Sequence, residues 1–233
     1  MSDTTENKNI SQIVIEQIQK MIMSGELKVG DKLPPERELT ETLNIGRPAL
    51  REALKGLEAI GFIKKVHGHG NYVANNLENS LFKPLSLSFK LSNGKMEDIL
   101  TLRVLVENHT VTEAAKNATE KDIIKLTDAV NNMITSESVD QKIYYDKLFH
   151  YEIAKISDNM LIINLLDSIS YLMDAFIGKS VMVSLFKEHA IEDIYDEHRN
   201  ILNAIKEKDI TKASSFMSMH LGNINLNLFQ EFD

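Results

Sequence analysis

Residues 30–73 read GDKLPPERELTETLNIGRPALREALKGLEAIGFIKKVHGHGNYV, and the order of elements in this stretch decides the fold of the N-terminal part. Pro34-Pro35 precedes a short helical run, Glu36 to Leu43, whose first turn carries Glu36 and Glu38 at the positive helix end. Asn44-Ile45-Gly46 then makes a tight turn. Pro48 falls in the first turn of the next helix, where a missing N–H costs little. That helix runs to about Ile60 and Gly61 closes it. Phe62 to Val66 reads as a short strand, His67-Gly68-His69-Gly70 as a hairpin tip, and Asn71 to Ala74 as the returning strand.

Before this stretch, Ile10, Ile13, Val14, Ile18, Met21 and Ile22 recur at helical spacing, and Ser24-Gly25 ends that helix. Leu27 to Leu33 is a connector, and residues 1–9 read as a disordered N-terminus. Two short helices joined by a tight turn and followed by a hairpin form a winged helix-turn-helix, in which the second helix of the pair enters the major groove. In that helix Leu50, Ala53, Leu54 and Leu57 form an apolar stripe, while Arg47, Arg51 and Lys55 line a different face. One side is built to pack and the other to meet phosphates or guanine edges. Arg37 is placed to reach backbone phosphate, and the small hairpin tip to approach a minor groove. Singly, such cations are ordinary solvated charges, and Glu52 and Glu58 weaken the field. The order of elements selects DNA.

The whole chain has 233 residues, no Cys, 43% hydrophobic and 26% charged residues, a composition that excludes wholesale disorder, disulfide scaffolds and thiol nucleophiles. No apolar run is long enough to span a membrane, and the polar N-terminus lacks a secretory signal, so the expected setting is soluble and cytoplasmic. The net charge of −8 is unevenly spread. Residues 1–75 hold 10 Lys/Arg and 10 Asp/Glu, so all the excess acid lies in residues 76–233. That asymmetry predicts two modules with different partners: a DNA-binding domain over residues 10–75 and, after a polar linker at 76–80, an all-α antiparallel helical bundle over 81–233.

Within the bundle, polar groups sit on apolar stripes. Asp146 and His150 share a face with Val139, Ile143 and Ile153; His198 lies among Ile191, Ile194, Ile201 and Ile205; His220 lies among Ala213, Met217, Ile224 and Leu228. A buried carboxylate is costly unless partnered. Asp and three His form a plausible ligand set for a divalent cation: zinc first, with nickel, manganese or iron as alternatives. The plain alternative is a set of separate core hydrogen bonds. His109 and His189 have no comparable partner and read as surface or structural residues. Arg103 shares a face with Met96, Ile99, Val106 and Thr110, so it points inward and needs an anion, either a ligand or Glu107 or Asp146 in the core.

The quoted stretch resembles the DNA-binding domain of the GntR family of bacterial transcription regulators, with "LPPEREL", "RPALREALKGL" and "GHGNYV" as the matching motifs. The resemblance implies DNA contacts by Arg37, Arg47 and Arg51, with His67 and Gly68 of the wing at the minor groove. It departs at Gly46, where a Ser or Thr is usual, at Pro48 and Ala49, and at His69, where Arg is frequent. "YYDKLFHYEIAKISDN", "EHRNILNAIKEKD", "MSMHL" and "ILTLRVLVENHTVTEAA" resemble the FCD domain of the FadR-like branch. That likeness implies a metal held by Asp146, His150, His198 and His220, and a carboxylate effector held in part by Arg103.

The expectation is therefore a homodimeric regulator, a repressor, that binds an inverted-repeat operator in double-stranded DNA and responds to a small organic acid. One rival makes the cation itself the effector. Another uses the Asp/His site to activate water, but no second constellation supplies an acid, base or nucleophile, so no enzyme is expected. In a third, the four residues are only a structural staple.

Overall fold

The computed structural model describes residues 10–177 and 191–230, the side chains of Ile177 and residues 225–230 excepted. The expectations for residues 1–9 and for His189 lie outside the described residues. The chain divides into two compact units, with the boundary between Leu85 and Ser86.

In the first unit, α1 (Ile10–Met23), α2 (Glu36–Leu43) and α3 (Arg47–Ala59) enclose a small core with β1 (Ile63–Val66) and β2 (Gly70–Val73). Val14, Ile18, Leu39, Leu50, Leu54, Leu57, Ile63 and Val73 fill that core. Each fully buried Leu or Ile of this kind contributes roughly 1.5–3 kcal/mol. Asn44 takes the left-handed conformation at the end of α2 (φ 50°), which turns the chain directly into α3. Gly61 (φ +82°) closes α3; a Cβ there would meet the Asn76 carbonyl oxygen at 2.7 Å. The two strands pair antiparallel, Ile63 opposite Val73 and Val66 opposite Gly70, with His67, Gly68 and His69 at the tip.

Three local features differ from the sequence reading. Ile10 and Ile13 are about half exposed, so α1 buries only Val14, Ile18 and Ser11. Residues 30–33, read as a connector, run along β2 as a third partner: Gly30 N–H donates to Val73 O at 2.9 Å and Leu33 N–H to Asn71 O at 2.8 Å. Residues 76–80, read as a linker, are mostly helical. A π-helical turn spans Glu78–Phe82 and leads into α4 (Lys83–Leu91), while Asn76 N–H donates to Gly61 O at 3.0 Å.

The second unit is a helical bundle of α5 (Met96–Asn117), α6 (Glu120–Thr135), α7 (Val139–Ile156), α8 (Met160–Ile177), α9 (Ile191–Lys206) and α10 (Ile210–Gln230). The 22-residue α5 packs against α7, α8, α9 and α10. Left-handed Asn93, Asp158 and Lys208 end α4, α7 and α9, as the helix C-terminus favours. Thr119 and Asp122 form a capping box, with Thr119 N–H donating to Asp122 Oδ2 at 3.1 Å. Val111, Leu126, Phe149, Ile153, Ile201, Ile205 and Met217 make a dry core at one level of the bundle. The buried polar residues Arg103, Glu107, Asp146, His150, His198 and His220 gather at another.

Candidate metal centre and nucleic-acid interface

In the first unit, α3 buries Leu50, Ala53, Leu54 and Leu57 and leaves Arg47, Arg51 and Lys55 exposed. Arg51 Nε donates to Glu36 Oε2 at 3.0 Å, and Arg37 Nε lies 3.2 Å from Glu41 Oε1. Both pairs stand in water, where such contacts are weak and easily exchanged for phosphate. Among the described residues, Arg47, Lys55, Lys64 and Lys65 have no ion-pair partner. Glu52, which opposed the field in the sequence, accepts from Ser11 Oγ at 2.9 Å and is held toward α1. His67 and Gly68 are exposed at the wing tip.

In the second unit, α7 supplies Asp146 and His150, one turn apart, α9 supplies His198, and α10 supplies His220. One ligand atom from each of the four lies within 4.8 Å of all the others, and all four residues are buried. Each imidazole is oriented through its other nitrogen. His198 Nδ1–H donates to the Ile194 carbonyl at 2.7 Å, and a carbonyl oxygen can only accept, so the proton sits on Nδ1. His220 Nδ1–H donates to Glu197 Oε2 at 2.8 Å. His150 Nδ1 stands against the Glu107 Oε2 carboxylate oxygen. In neutral imidazoles held this way the Nε2 atoms carry the lone pairs, and they face one point.

The interatomic distances follow. His198 Nε2 stands 3.1 Å from Asp146 Oδ1, yet neither atom has a hydrogen bond, since both are acceptors. His150 Nε2 and His220 Nε2 face each other at 3.3 Å, a pair of nitrogens that both act as acceptors when each ring holds its proton on Nδ1. A divalent cation is the partner that satisfies all four at once, and an imidazole/carboxylate set of this kind suits zinc and its neighbours. Burial lowers His220 to a pKa of about 4, so its Nε2 lone pair is free at neutral pH.

Glu107 ties this centre to Arg103. The guanidinium Nε donates to Glu107 Oε1 at 2.6 Å, and both side chains are almost fully buried. Burial would raise Glu107, but Arg103 and His150 together bring it down to about 2. The core salt bridge weighed for Arg103 is thus formed, through Nε alone. Nη1 lies 3.6 Å from Met173 Sδ, and the side chain also borders a cavity of about 340 Å³. Asp146 and His150 line the same cavity, with Leu166, Ile169 and Met173 as its apolar wall. Glu197, which the apolar stripe passed over, is held by His220 and by Asn223. Its signal was chemical: a buried His with one nitrogen on a metal needs an acceptor for the other.

Comparison with known proteins joins the two units. The FCD domain family matches residues 98–223, and the family of bacterial regulatory proteins called gntR matches residues 10–73. The HTH-type transcriptional regulator LutR of Bacillus subtilis is 32% identical over 208 residues, covering 88% of this chain and 94% of that protein. The chain belongs to the GntR family. The HTH-type transcriptional repressor NanR of Klebsiella aerogenes is 31% identical, covering 94% of this chain and 85% of its own length. A solved GntR protein of Streptococcus agalactiae superposes with a TM-score of 0.72 at 26% identity, covering 92% of this chain and 98% of that one. This GntR chain is a DNA-binding transcription regulator with an FCD domain; its family regulates transcription and does not catalyse reactions. Among the described residues, no helix is long and apolar enough to cross a membrane.

Proposed function

We propose that this GntR regulator is a homodimeric, cytoplasmic repressor whose FCD domain senses a small carboxylate beside a divalent cation, zinc first among the candidates. The observation that carries this reading is the meeting of three imidazole lone pairs and one carboxylate oxygen at the edge of a cavity that Arg103 also borders. A bound cation would supply a Lewis-acid anchor for the acid. Asp146, His150, His198 and His220 hold the ion; Glu107 and Glu197 orient two of the imidazoles; Arg103 adds positive charge at the cavity wall. The apolar wall excludes water and strengthens each of these interactions.

In the first unit, Arg47 and Arg51 meet the major groove, Arg37 the phosphate backbone, and His67 and Gly68 the minor groove. Two such heads related by a two-fold axis bind an inverted repeat. Exposed Leu87 and Leu91 on α4 offer apolar surface to a second copy. Repression is supported by the name of the Klebsiella relative. An acid alters operator affinity only through a difference in its own affinity for the DNA-competent and DNA-incompetent states.

The test is elemental analysis followed by operator binding with and without chelator and acids. Metal-loaded protein should carry a single divalent cation per chain, and an acid that binds should raise its melting temperature. At a hundredfold excess over its dissociation constant, the acid adds about 2.7 kcal/mol. The same acid should weaken operator binding, and chelated protein should ignore it. A switch driven by metal with no effect of any acid would make the cation the effector.

A further inference from the structure

The cavity beside the metal centre is lined by Asp146, His150 and Arg103 and, on α8, by Asp167, six residues before the Met173 that touches Arg103. At a rise of 1.5 Å per residue, those two positions are about 9 Å apart along the helix. Asp167 lines the cavity, is partly buried, and among the described residues has no hydrogen bond or cation to partner it. Asp174, two turns further along α8, is by contrast clasped by Lys147 at 2.6 Å. Ser170 lies one turn on from Asp167 and also faces the cavity. Burial pushes the Asp167 carboxyl up, with no opposing charge to bring it down. A lone, partly desolvated acceptor lining a binding cavity is a place where a ligand donor is favoured.

We infer that Asp167 is a specificity-determining residue: it selects acids that carry a hydrogen-bond donor, hydroxyl or ammonium, at the end of the chain away from the carboxylate. This rests on the proposed reading of the cavity as a carboxylate site. The spacing along α8 between Asp167 and the Met173 beside Arg103 calls for a ligand with roughly four to six atoms between carboxylate and donor, given the reach of the side chains on each side. Cavity volume agrees, since about 340 Å³ is at the small end of ligand pockets. A plain fatty acid of the same length fits the walls but leaves Asp167 unpartnered.

The probes are hexanoate, 6-hydroxyhexanoate and 6-aminohexanoate, titrated calorimetrically into the full-length zinc-loaded protein. Each substituted acid should bind roughly tenfold or more tightly than hexanoate, the worth of a hydrogen bond to a charged group. In Asp167→Ala that ratio should fall to near one. Asp167→Asn, which keeps shape and an acceptor but loses charge, should lose the preference for the ammonium probe and keep part of that for the hydroxyl probe. It also serves if the Ala variant does not fold. Equal binding of all three probes to the wild-type protein overturns the inference and leaves the carboxylate site standing. Failure of all three, hexanoate included, overturns both. A preference that survives in both variants assigns the donor to another group and overturns the role of Asp167.

Discussion

In the N-terminal unit Arg37, Arg47 and Arg51 stand in water, whereas in the C-terminal unit Arg103, Glu107 and the four converging residues are sealed from it. The exposed cations retain their hydration, and their acidic partners hold them only loosely. They remain available to a polyanion whose bound counterions are released on contact. The buried groups have lost water, so each must be matched inside the protein. Arg103 has Glu107, Glu107 has His150, and His220 has Glu197. Among the described residues, Asp146 Oδ1 and His198 Nε2 face the common point without a hydrogen-bond partner, and that deficit marks where a ligand belongs. The same residue types thus read as interface or as site according to solvation.

The contrast breaks most plainly at the DNA face. Replacing Arg47 and Arg51 together by Ala should cost about 2–6 kcal/mol of operator affinity, at 1–3 kcal/mol for each lost contact. The thermal melt should barely move, since neither side chain is buried. Fluorescence anisotropy on an operator selected from a random-sequence library measures the first, and circular dichroism the second. Unchanged affinity would remove α3 from the groove.

In the buried unit the same kind of change should strike stability instead. Arg103→Leu leaves the Glu107 carboxylate opposite only His150, and breaking such a buried pair costs about 3–5 kcal/mol. Adding Glu107→Gln should recover much of that, because a neutral amide oxygen still accepts from His150 Nδ1. Urea melts of the two variants decide it. A single variant as stable as the wild type would mean that the guanidinium is not needed to balance the core.

Much of this was legible before any coordinates. Helical periodicity in α3, α7, α9 and α10 placed the apolar stripes, and the polar residues on those stripes became the converging four, because a buried Asp or His has little reason to be there without a partner. Turn chemistry at Asn44 marked a helix end, since few other residues take a left-handed backbone. What periodicity could not supply was pairing across the sequence. The strand-like run at residues 30–33 depends on hydrogen bonds to β2 some forty residues later, and the helical turn over Glu78–Phe82 overrides a polar composition that suggests a linker. Glu197 escaped because it flanks the stripe and is drawn inward by His220 and Asn223.

The smallest effect sharpens the comparison by testing an ion pair on the exposed side. Glu36→Gln removes the partner that Arg51 holds at 3.0 Å, a contact of the same chemistry as Arg103–Glu107. In water it should cost no more than about 1 kcal/mol of stability. Its effect on DNA should have the opposite sign. With Glu36 neutral, Arg51 no longer has to leave an acid to reach a phosphate or a base, and one negative charge is gone from beside the groove. Operator binding should tighten slightly at low salt, with the gain fading as salt screens the field. A stability loss nearer to that of Arg103→Leu would show that the pair fixes α2 against α3, and Arg51 would then be a scaffold residue rather than a free hand for DNA.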